Sequence, residues 1–126
     1  MPANTPEEAY LLLVEALNAG DVDAALTLCE PEATFMVAPG QQVTGLDAIR
    51  EQLNTFLEAK PRLTLDVPQV TRSGDLALLC SHWTLQETRP DGRRVDLTGQ
   101  GAEVVRRQAD GTWKIVLSNP FPCPTD

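Results

Sequence analysis

Long apolar runs are absent from this sequence of 126 residues. No stretch approaches the roughly 20 consecutive apolar residues that a membrane-spanning helix needs. The first ten residues, MPANTPEEAY, are acidic rather than basic and lack an apolar core, so they do not resemble a secretion signal. We therefore expect one domain over residues 1–126, in the cytoplasm and without a membrane partner.

Histidine and cysteine are scarce as well. The chain has one histidine, His82, which excludes a metal site built from several histidines of one chain. Its three cysteines include no CxxC pair, so neither a zinc motif nor a disulfide framework is indicated. We expect no metal and no cofactor. Cys29 and Cys80 fall among apolar residues and are predicted to be small core side chains.

Basic residues are too few to form a nucleic-acid-binding face. The chain has 10 Lys and Arg against 18 Asp and Glu, a net charge of −8. The imbalance lies in the first half, because the second half carries equal numbers of acids and bases. Neutralising a phosphate backbone requires a positively charged surface, so nucleic acid is excluded as a partner.

Three helices are predicted from capping residues and apolar periodicity. Thr5, Pro6 and Glu8 have the pattern of a helix start, and Gly20 has that of a helix end. A second helix is predicted to begin after Asp21 and to continue until Pro31. The segment TGLDAIREQL is predicted to open a third helix, which Pro61 closes.

The remaining chain has the pattern of strands. Ala33 to Val37 is a short candidate, and apolar residues alternate with polar ones from Leu63 to Val67. Turn signals at Ser73–Asp75, Arg89–Gly92 and Ala109–Gly111 separate three further strands, at about 76–88, 94–108 and 112–119. The order α-α-β-α-β-β-β-β indicates an α+β fold with an antiparallel sheet.

The strand at 76–88 is apolar on both faces. Leu76, Leu78, Cys80 and His82 share one face, and Ala77, Leu79, Trp83 and Leu85 share the other. Helices can cover only one of them. We therefore expect a homodimer in which a second subunit covers the other face.

Glu103 and His82 are the candidate catalytic residues. Glu103 lies in the strand segment GQGAEVV, on a face of apolar and small residues, where desolvation would raise its pKa as a general acid or base requires. The alternative is an ion pair with Arg94 or Arg106. His82 is either a ligand-binding group or general base, or a hydrogen-bonded histidine of a pocket wall. A Cys80–His82 nucleophile is disfavoured, because strand residues two apart are about 7 Å from each other.

Three further features of the sequence are the segment Gly99–Gly101, Asn119 and Tyr10. Gly99-Gln100-Gly101 does not indicate a nucleotide loop, since a strand rather than a helix follows; these glycines permit curvature or leave room for a ligand. Asn119 shares a predicted inward face with Trp113, Ile115 and Leu117, and either orients a substrate oxygen or bonds the following loop. Tyr10 lies beside the apolar stripe of the first helix and is expected at most at the pocket rim.

The segments LNAGDVDAALTL, TGLDAIREQL and RRQADGTWKIVLSNP resemble the nuclear transport factor 2-like (NTF2-like) superfamily, in its SnoaL-like, DUF4440 and ketosteroid isomerase-like branch. The resemblance covers about residues 8–121. It implies a cone in which three helices pack on a strongly curved antiparallel sheet around a pocket. The pocket lining it implies is Leu13, Leu17, Phe35, Val37, Phe56, Cys80, Gly101, Leu117, Asn119 and Phe121.

The resemblance leaves the reaction open, because one fold hosts many functions. Ketosteroid isomerases use a first-helix tyrosine, a general-base aspartate and a protonated acid. Only the protonated acid has a counterpart here, Glu103. Leu13 stands where the tyrosine would be, and Val37 stands near the position of the aspartate. The expected function is binding of a small apolar molecule, with isomerase or cyclase chemistry by proton transfer through Glu103 and His82. The alternative is a non-catalytic association module.

Overall fold

The computed structural model describes residues 2–121, which form three helices and six strands. The helices are α1 (Pro6–Asn18), α2 (Val22–Thr27) and α3 (Leu46–Leu57). The strands are β1 (Cys29–Ala38), β2 (Gln41–Thr44), β3 (Arg62–Ser73), β4 (Leu76–Thr88), β5 (Arg94–Arg107) and β6 (Trp113–Asn119).

All six strands form one sheet in the order β2-β1-β6-β5-β4-β3. The predicted α+β fold and the predicted order of elements are confirmed, with the short strand β2 added by a hairpin at Pro39–Gly40. The sheet is mixed rather than wholly antiparallel, because β1 pairs with β6 in parallel. That pairing joins two segments far apart along the chain, which no local sequence pattern indicates.

The start of β1 corrects the predicted end of the second helix. The helix ends at Thr27, and Cys29 and Pro31 already belong to the strand. Proline has no backbone N–H to donate to a strand ladder. Here Pro31 breaks no ladder hydrogen bond, because the pairing of β1 with β6 is irregular between Cys29 and Thr34.

The helices cover one face of the sheet. Helix α1 contacts β3, β4, β5 and β6, while α3 packs on β1 and α2. Capping fixes the start of α1, because the Glu8 carboxylate accepts hydrogen bonds from the N–H groups of Asn4 and Thr5. Its other end is held by Asn18, whose side chain exchanges two 2.8 Å hydrogen bonds with the backbone of Leu63 on β3. None of the described helices has the length and apolarity needed to cross a membrane.

A bulge in β6 decides which of its side chains face the helices. Ile115 pairs with Val105 and Leu117 with Val104, so Val116 is an extra residue in the ladder. Side chains beyond the bulge change faces. Ser118 is therefore buried under the helices, whereas Leu117 lies 37% exposed on the outer face.

Candidate functional site

A cavity of about 350 Å³ lies between α1, α3 and the covered face of the sheet. Its volume is at the lower end of the roughly 300–1,000 Å³ range of small-molecule sites. Most of its wall is apolar, and the polar or charged side chains on it are Tyr10, Gln52, Glu87 and Ser118. The cavity can therefore hold a small apolar molecule that makes a few directed polar contacts.

Six of the ten side chains implied by the family resemblance line this cavity, namely Leu13, Leu17, Phe35, Val37, Phe56 and Phe121. The other four do not. Cys80, Leu117 and Asn119 belong to the outer face, the last two because of the β6 bulge. Asn119 instead accepts a 3.0 Å hydrogen bond from the Phe121 N–H, as the loop-bonding alternative holds. Gly101 lies on the covered face, beside Glu103 rather than on the cavity wall.

Glu103 is the centre of a polar cluster at the inner end of the cavity. The carboxyl group is fully buried, and its Oε1 accepts a 3.0 Å hydrogen bond from the Ser81 hydroxyl on β4. Ser118 lies opposite Glu103 on β6, and the Tyr10 hydroxyl approaches both from α1. The second carboxyl oxygen, Oε2, has no hydrogen-bond partner among the described residues. These four side chains are called the Glu103 cluster below.

Gly101 provides the space that the Glu103 cluster occupies. A Cβ atom at residue 101 would lie 2.8 Å from the Ser81 Oγ and 3.0 Å from Glu103 Oε2. Real Cβ atoms essentially never approach a neighbour as closely as 2.8 Å. The space beside Gly101 is therefore filled by side chains of the protein itself and is not room for a ligand.

Burial sets the protonation of the cluster. Removal from water raises the pKa of Glu103 to about 8, while the Ser81 and Tyr10 hydroxyls lower it by less. Burial and the neighbouring Glu103 charge raise the pKa of Tyr10 well above its ordinary value. Both groups therefore carry their protons at neutral pH. A neutral Glu103 is also what its environment favours, because a buried carboxylate without a cation is costly.

The arginine pairing considered for Glu103 does not occur. Arg94 donates to Gln86, and Arg106 lies 3.7 Å from Glu30. Glu103 also does not line the cavity itself. Tyr10 and Ser118, whose hydroxyls lie close to the Glu103 carboxyl group, do line the cavity.

His82 lies on the opposite face of the sheet, which corrects its expected place beside Glu103. In the β4–β5 ladder, Glu103 pairs with Leu79 and His82 pairs with Gln100. Odd-numbered residues of β4 therefore share the face of Glu103, and His82 is exposed on the other face. Nothing in the geometry brings the two candidate catalytic residues together.

The sequence assigns no place at the cavity or in the Glu103 cluster to four residues that the structure puts there, namely Ser81, Trp83, Glu87 and Ser118. Tyr10 was placed at the rim but is 8% exposed and lines the cavity. The sequence does contain a pattern that places Tyr10 on the inward face of α1. The i, i+3, i+4, i+7 spacing of one helix face is shared by Tyr10, Leu13, Val14 and Leu17. The register of the β4–β5 ladder is enough to place Ser81, Trp83 and Glu87 on the face of Glu103. The place of Ser118 depends on the β6 bulge, which no sequence pattern indicates.

Among residues 2–121, no group of three or more His, Cys, Asp or Glu side chains is placed to hold a metal ion. The titratable side chains at the cavity are Tyr10 and Glu87 on its wall and Glu103 in the adjoining cluster.

Sequence comparison identifies the family. The model of the SnoaL-like domain matches residues 11–117, most of the chain. The chain belongs to the SnoaL-like domain family. A search of curated proteins gives no significant match to this SnoaL-like domain.

Solved structures support the same superfamily at the level of the fold. An NTF2-like superfamily protein from Salmonella enterica serovar Typhimurium is 23% identical, with a TM-score of 0.80 and coverage of 94% of this chain and 89% of that one. A ketosteroid isomerase-like protein from Erwinia carotovora atroseptica is 22% identical, with a TM-score of 0.78 and coverage of 89% and 88%.

A third neighbour, from Thiobacillus denitrificans, is provisionally named as a calcium/calmodulin-dependent protein kinase type II association domain. It is 20% identical, with a TM-score of 0.79 and coverage of 98% of this chain and 99% of that one. The similarity of these structures confirms the NTF2-like cone. Their names differ in function, so the fold alone does not identify a reaction, which has to be argued from the site.

Proposed function

We propose that this SnoaL-like domain binds a small, largely apolar molecule in its cavity and holds one oxygen of that molecule at the Glu103 cluster. One observation carries the proposal. The hydroxyls of Tyr10 and Ser118 form the polar inner end of an otherwise apolar cavity, with a buried acid directly behind them. An association module has no need of such an arrangement and can fill its cone with side chains.

The reaction class that fits this site is proton transfer, as in isomerisation or cyclisation. Tyr10 keeps its proton at neutral pH and donates a hydrogen bond to the ligand oxygen, while the neutral Glu103 strengthens that donation from behind. A base must act from another side of the ligand. Glu87 is the carboxylate that the cavity wall offers, and it lies 3.1 Å from the Arg89 guanidinium.

Binding of 2-naphthol and naphthalene tests the proposal, because these two probes differ by a single hydroxyl group. Titration calorimetry should show that the wild-type protein binds 2-naphthol more tightly. The variant Tyr10→Phe removes one hydroxyl without changing the ring, so it should lower the affinity for 2-naphthol by about tenfold and leave that for naphthalene unchanged. His82→Ala, on the other face of β4, is the matched control and should bind both probes as the wild type does.

Equal affinities for the two probes in the wild-type protein would contradict the proposed polar end. Failure of both to bind would contradict the site as a whole. A Tyr10→Phe variant that loses naphthalene as well would show that the cavity has changed shape. In that case, Ser118→Ala gives a second measurement at the same end of the cavity.

A second proposed function is self-association through the outer face of the sheet. Leu78, Val104 and Leu117 are direct neighbours across β4, β5 and β6 on the face that no helix covers. Leu76 and Leu78 are each 42% exposed, and Leu117 is 37% exposed. A contiguous apolar row of this kind favours a contact with a second copy of the chain, since hydrophobic burial is the main driving force of association.

Sedimentation velocity at micromolar concentration tests the proposed homodimer. The wild-type protein should sediment as a dimer, and Leu78→Asp should shift it to a monomer, because a charge would be buried in the interface. Leu11→Asp places the same charge on an exposed leucine of α1 and should leave the dimer intact. A monomeric wild-type protein would contradict this second proposal and leave the cavity proposal standing.

A further inference from the structure

The few aromatic side chains of the chain are concentrated at the cavity. The sequence has only six residues of Phe, Trp and Tyr. Five of them line the cavity, namely Tyr10, Phe35, Phe56, Trp83 and Phe121. The sixth, Trp113, lies elsewhere, with the guanidinium of Arg72 5.0 Å from its ring centre. Within residues 2–121, 19 side chains line the cavity, so this concentration is a property of the site and not of the composition.

Trp83 is held by contacts to two neighbouring segments. Its indole rests against Gly99 of the neighbouring strand, where a Cβ atom would lie 2.5 Å from the Trp83 Cζ2 atom. The indole nitrogen donates a 3.0 Å hydrogen bond to the Pro120 carbonyl oxygen. Contact on one side and a fixed nitrogen leave the ring little freedom. The cavity therefore has a preorganised aromatic wall, and preorganisation reduces the entropy lost on binding.

The charges around the cavity oppose an anionic ligand. Among the described residues, no lysine, arginine or histidine lines its wall. Glu87 is the carboxylate on the wall, Glu103 nearby is neutral at pH 7, and the chain as a whole carries −8. A ligand carboxylate or phosphate would enter an apolar cavity without a cation on the described wall to pair with, which strongly disfavours its binding. A cationic ligand would have to compete with Arg89 for Glu87.

We propose that the ligand of this cavity is an uncharged, planar aromatic molecule that carries an oxygen at one edge. The inference rests on the proposed function and adds the class of ligand to it. The aromatic side chains contact the faces and edges of the ligand ring, and the oxygen meets the Tyr10 and Ser118 hydroxyls. Each aromatic pair contributes roughly 2- to 13-fold in affinity beyond the burial of its area, so a saturated molecule of the same outline binds more weakly.

A set of four probes with the same two-ring outline tests the inference. These are 2-naphthol, its saturated analogue decahydro-2-naphthol, the anion 2-naphthoate and the cation 2-naphthylmethylammonium. Titration calorimetry at pH 7 should give about tenfold tighter binding of 2-naphthol than of decahydro-2-naphthol. Both charged probes should bind at least about tenfold more weakly than 2-naphthol.

Variants of Trp83 separate an aromatic contribution from simple bulk. Trp83→Leu should reduce the preference for 2-naphthol over decahydro-2-naphthol to about threefold or less, while the affinity for the saturated probe changes by less than about twofold. Trp83→Phe keeps a ring and should retain most of the preference. His82→Ala is the control on the same strand and should retain all of it.

Two results overturn the inference while the proposed function stands. One is equal binding of the aromatic and saturated alcohols by the wild-type protein. The other is tighter binding of either charged probe than of 2-naphthol. A preference that survives unchanged in Trp83→Leu also overturns the role given to Trp83. If none of the four probes binds the wild-type protein, the proposed function fails and the inference fails with it.

Discussion

The Ser81 hydroxyl donates a 3.0 Å hydrogen bond to Glu103 Oε1, and both side chains are excluded from solvent. This contact joins β4 to β5 at the inner end of the cavity, and it satisfies one of the two carboxyl oxygens. The other, Oε2, is left without a partner among the described residues. A buried acid in this state resists ionisation, which links the stability of the fold to pH.

Glu103→Gln should remove part of the pH dependence of stability. The pKa of Glu103 is about 8 in the folded protein, above the ordinary value of 4.5 expected for the unfolded chain. Between these values the folded state binds more protons, so the free energy of unfolding should fall by roughly 1 kcal/mol per pH unit as pH rises, and level off above pH 8.

Urea denaturation of both proteins at pH 5, 6.5, 8 and 9 measures this effect. The glutamine variant should gain stability relative to the wild-type protein across this range, because it has no proton to lose. Subtracting the two curves removes the contribution of every other titrating group. A difference that does not change with pH would show that Glu103 does not titrate as its burial requires.

Gly101→Ala should destabilise the Glu103 cluster by about 1–3 kcal/mol. The added Cβ would lie 2.8 Å from the Ser81 hydroxyl and 3.2 Å from the Asn119 carbonyl oxygen, so neighbouring strands must move apart. Chemical denaturation of the single variants and of Gly101→Ala with Ser81→Ala forms a double-mutant cycle. The double variant should cost less than the sum of the singles, since removing the hydroxyl relieves the closest contact. Strict additivity would argue against that contact.

Asn18→Ala should lower the free energy of unfolding by about 1–3 kcal/mol. Both polar atoms of the side chain bond to the backbone of Leu63 at 2.8 Å, and the loss leaves a partly buried N–H and carbonyl without partners. Asn54→Ala on the exposed side of α3 is the matched control and should change stability by less than about 0.5 kcal/mol. Equal effects of the two substitutions would mean that the Asn18 contacts do not tie α1 to the sheet.

Proton exchange at carbon tests the chemistry proposed for the cavity. In deuterated buffer, the wild-type protein should raise the rate at which deuterium enters the carbon next to the carbonyl of 2-tetralone, compared with the rate in buffer alone. NMR measures this rate. The rate should decline as pH rises through about 8, because the acid form of Glu103 is the one that supports the ketone oxygen. Glu103→Gln should reduce the excess rate by about 100-fold or more, whereas His82→Ala should not. An unchanged rate in Glu103→Gln would remove Glu103 from the mechanism.

Local signals account for what the sequence predicted well. Capping at Thr5 and Glu8 fixed the start of α1, and the turn residues Gly74, Gly92 and Gly111 all have positive φ, as tight turns between neighbouring strands require. The strand at 76–88 was predicted with the bounds that the structure shows. These features depend on residues close in the chain, so a single sequence contains their causes.

Strand pairing accounts for what the sequence does not show. The parallel β1–β6 contact joins residues far apart along the chain, whereas β2 is a strand of only four residues that pairs with β1 through the Pro39–Gly40 turn. Because β4 has apolar residues on both faces, alternation alone does not show which face the helices cover. The face of His82 depends on whether odd-numbered or even-numbered residues of β4 pair with Glu103 and its neighbours on β5. A five-residue connection from Arg89 to Arg93 pairs Thr88 with Arg94 and thereby places odd-numbered residues of β4 opposite Glu103. One residue more or less would have reversed that result.

The most direct measurement is a crystal structure of the protein with 2-naphthol bound. The account predicts the naphthol oxygen within hydrogen-bonding distance of the Tyr10 and Ser118 hydroxyls, and its rings in contact with Trp83. An empty cavity at saturating 2-naphthol, or an oxygen turned toward Glu87 and away from the Glu103 cluster, would contradict it.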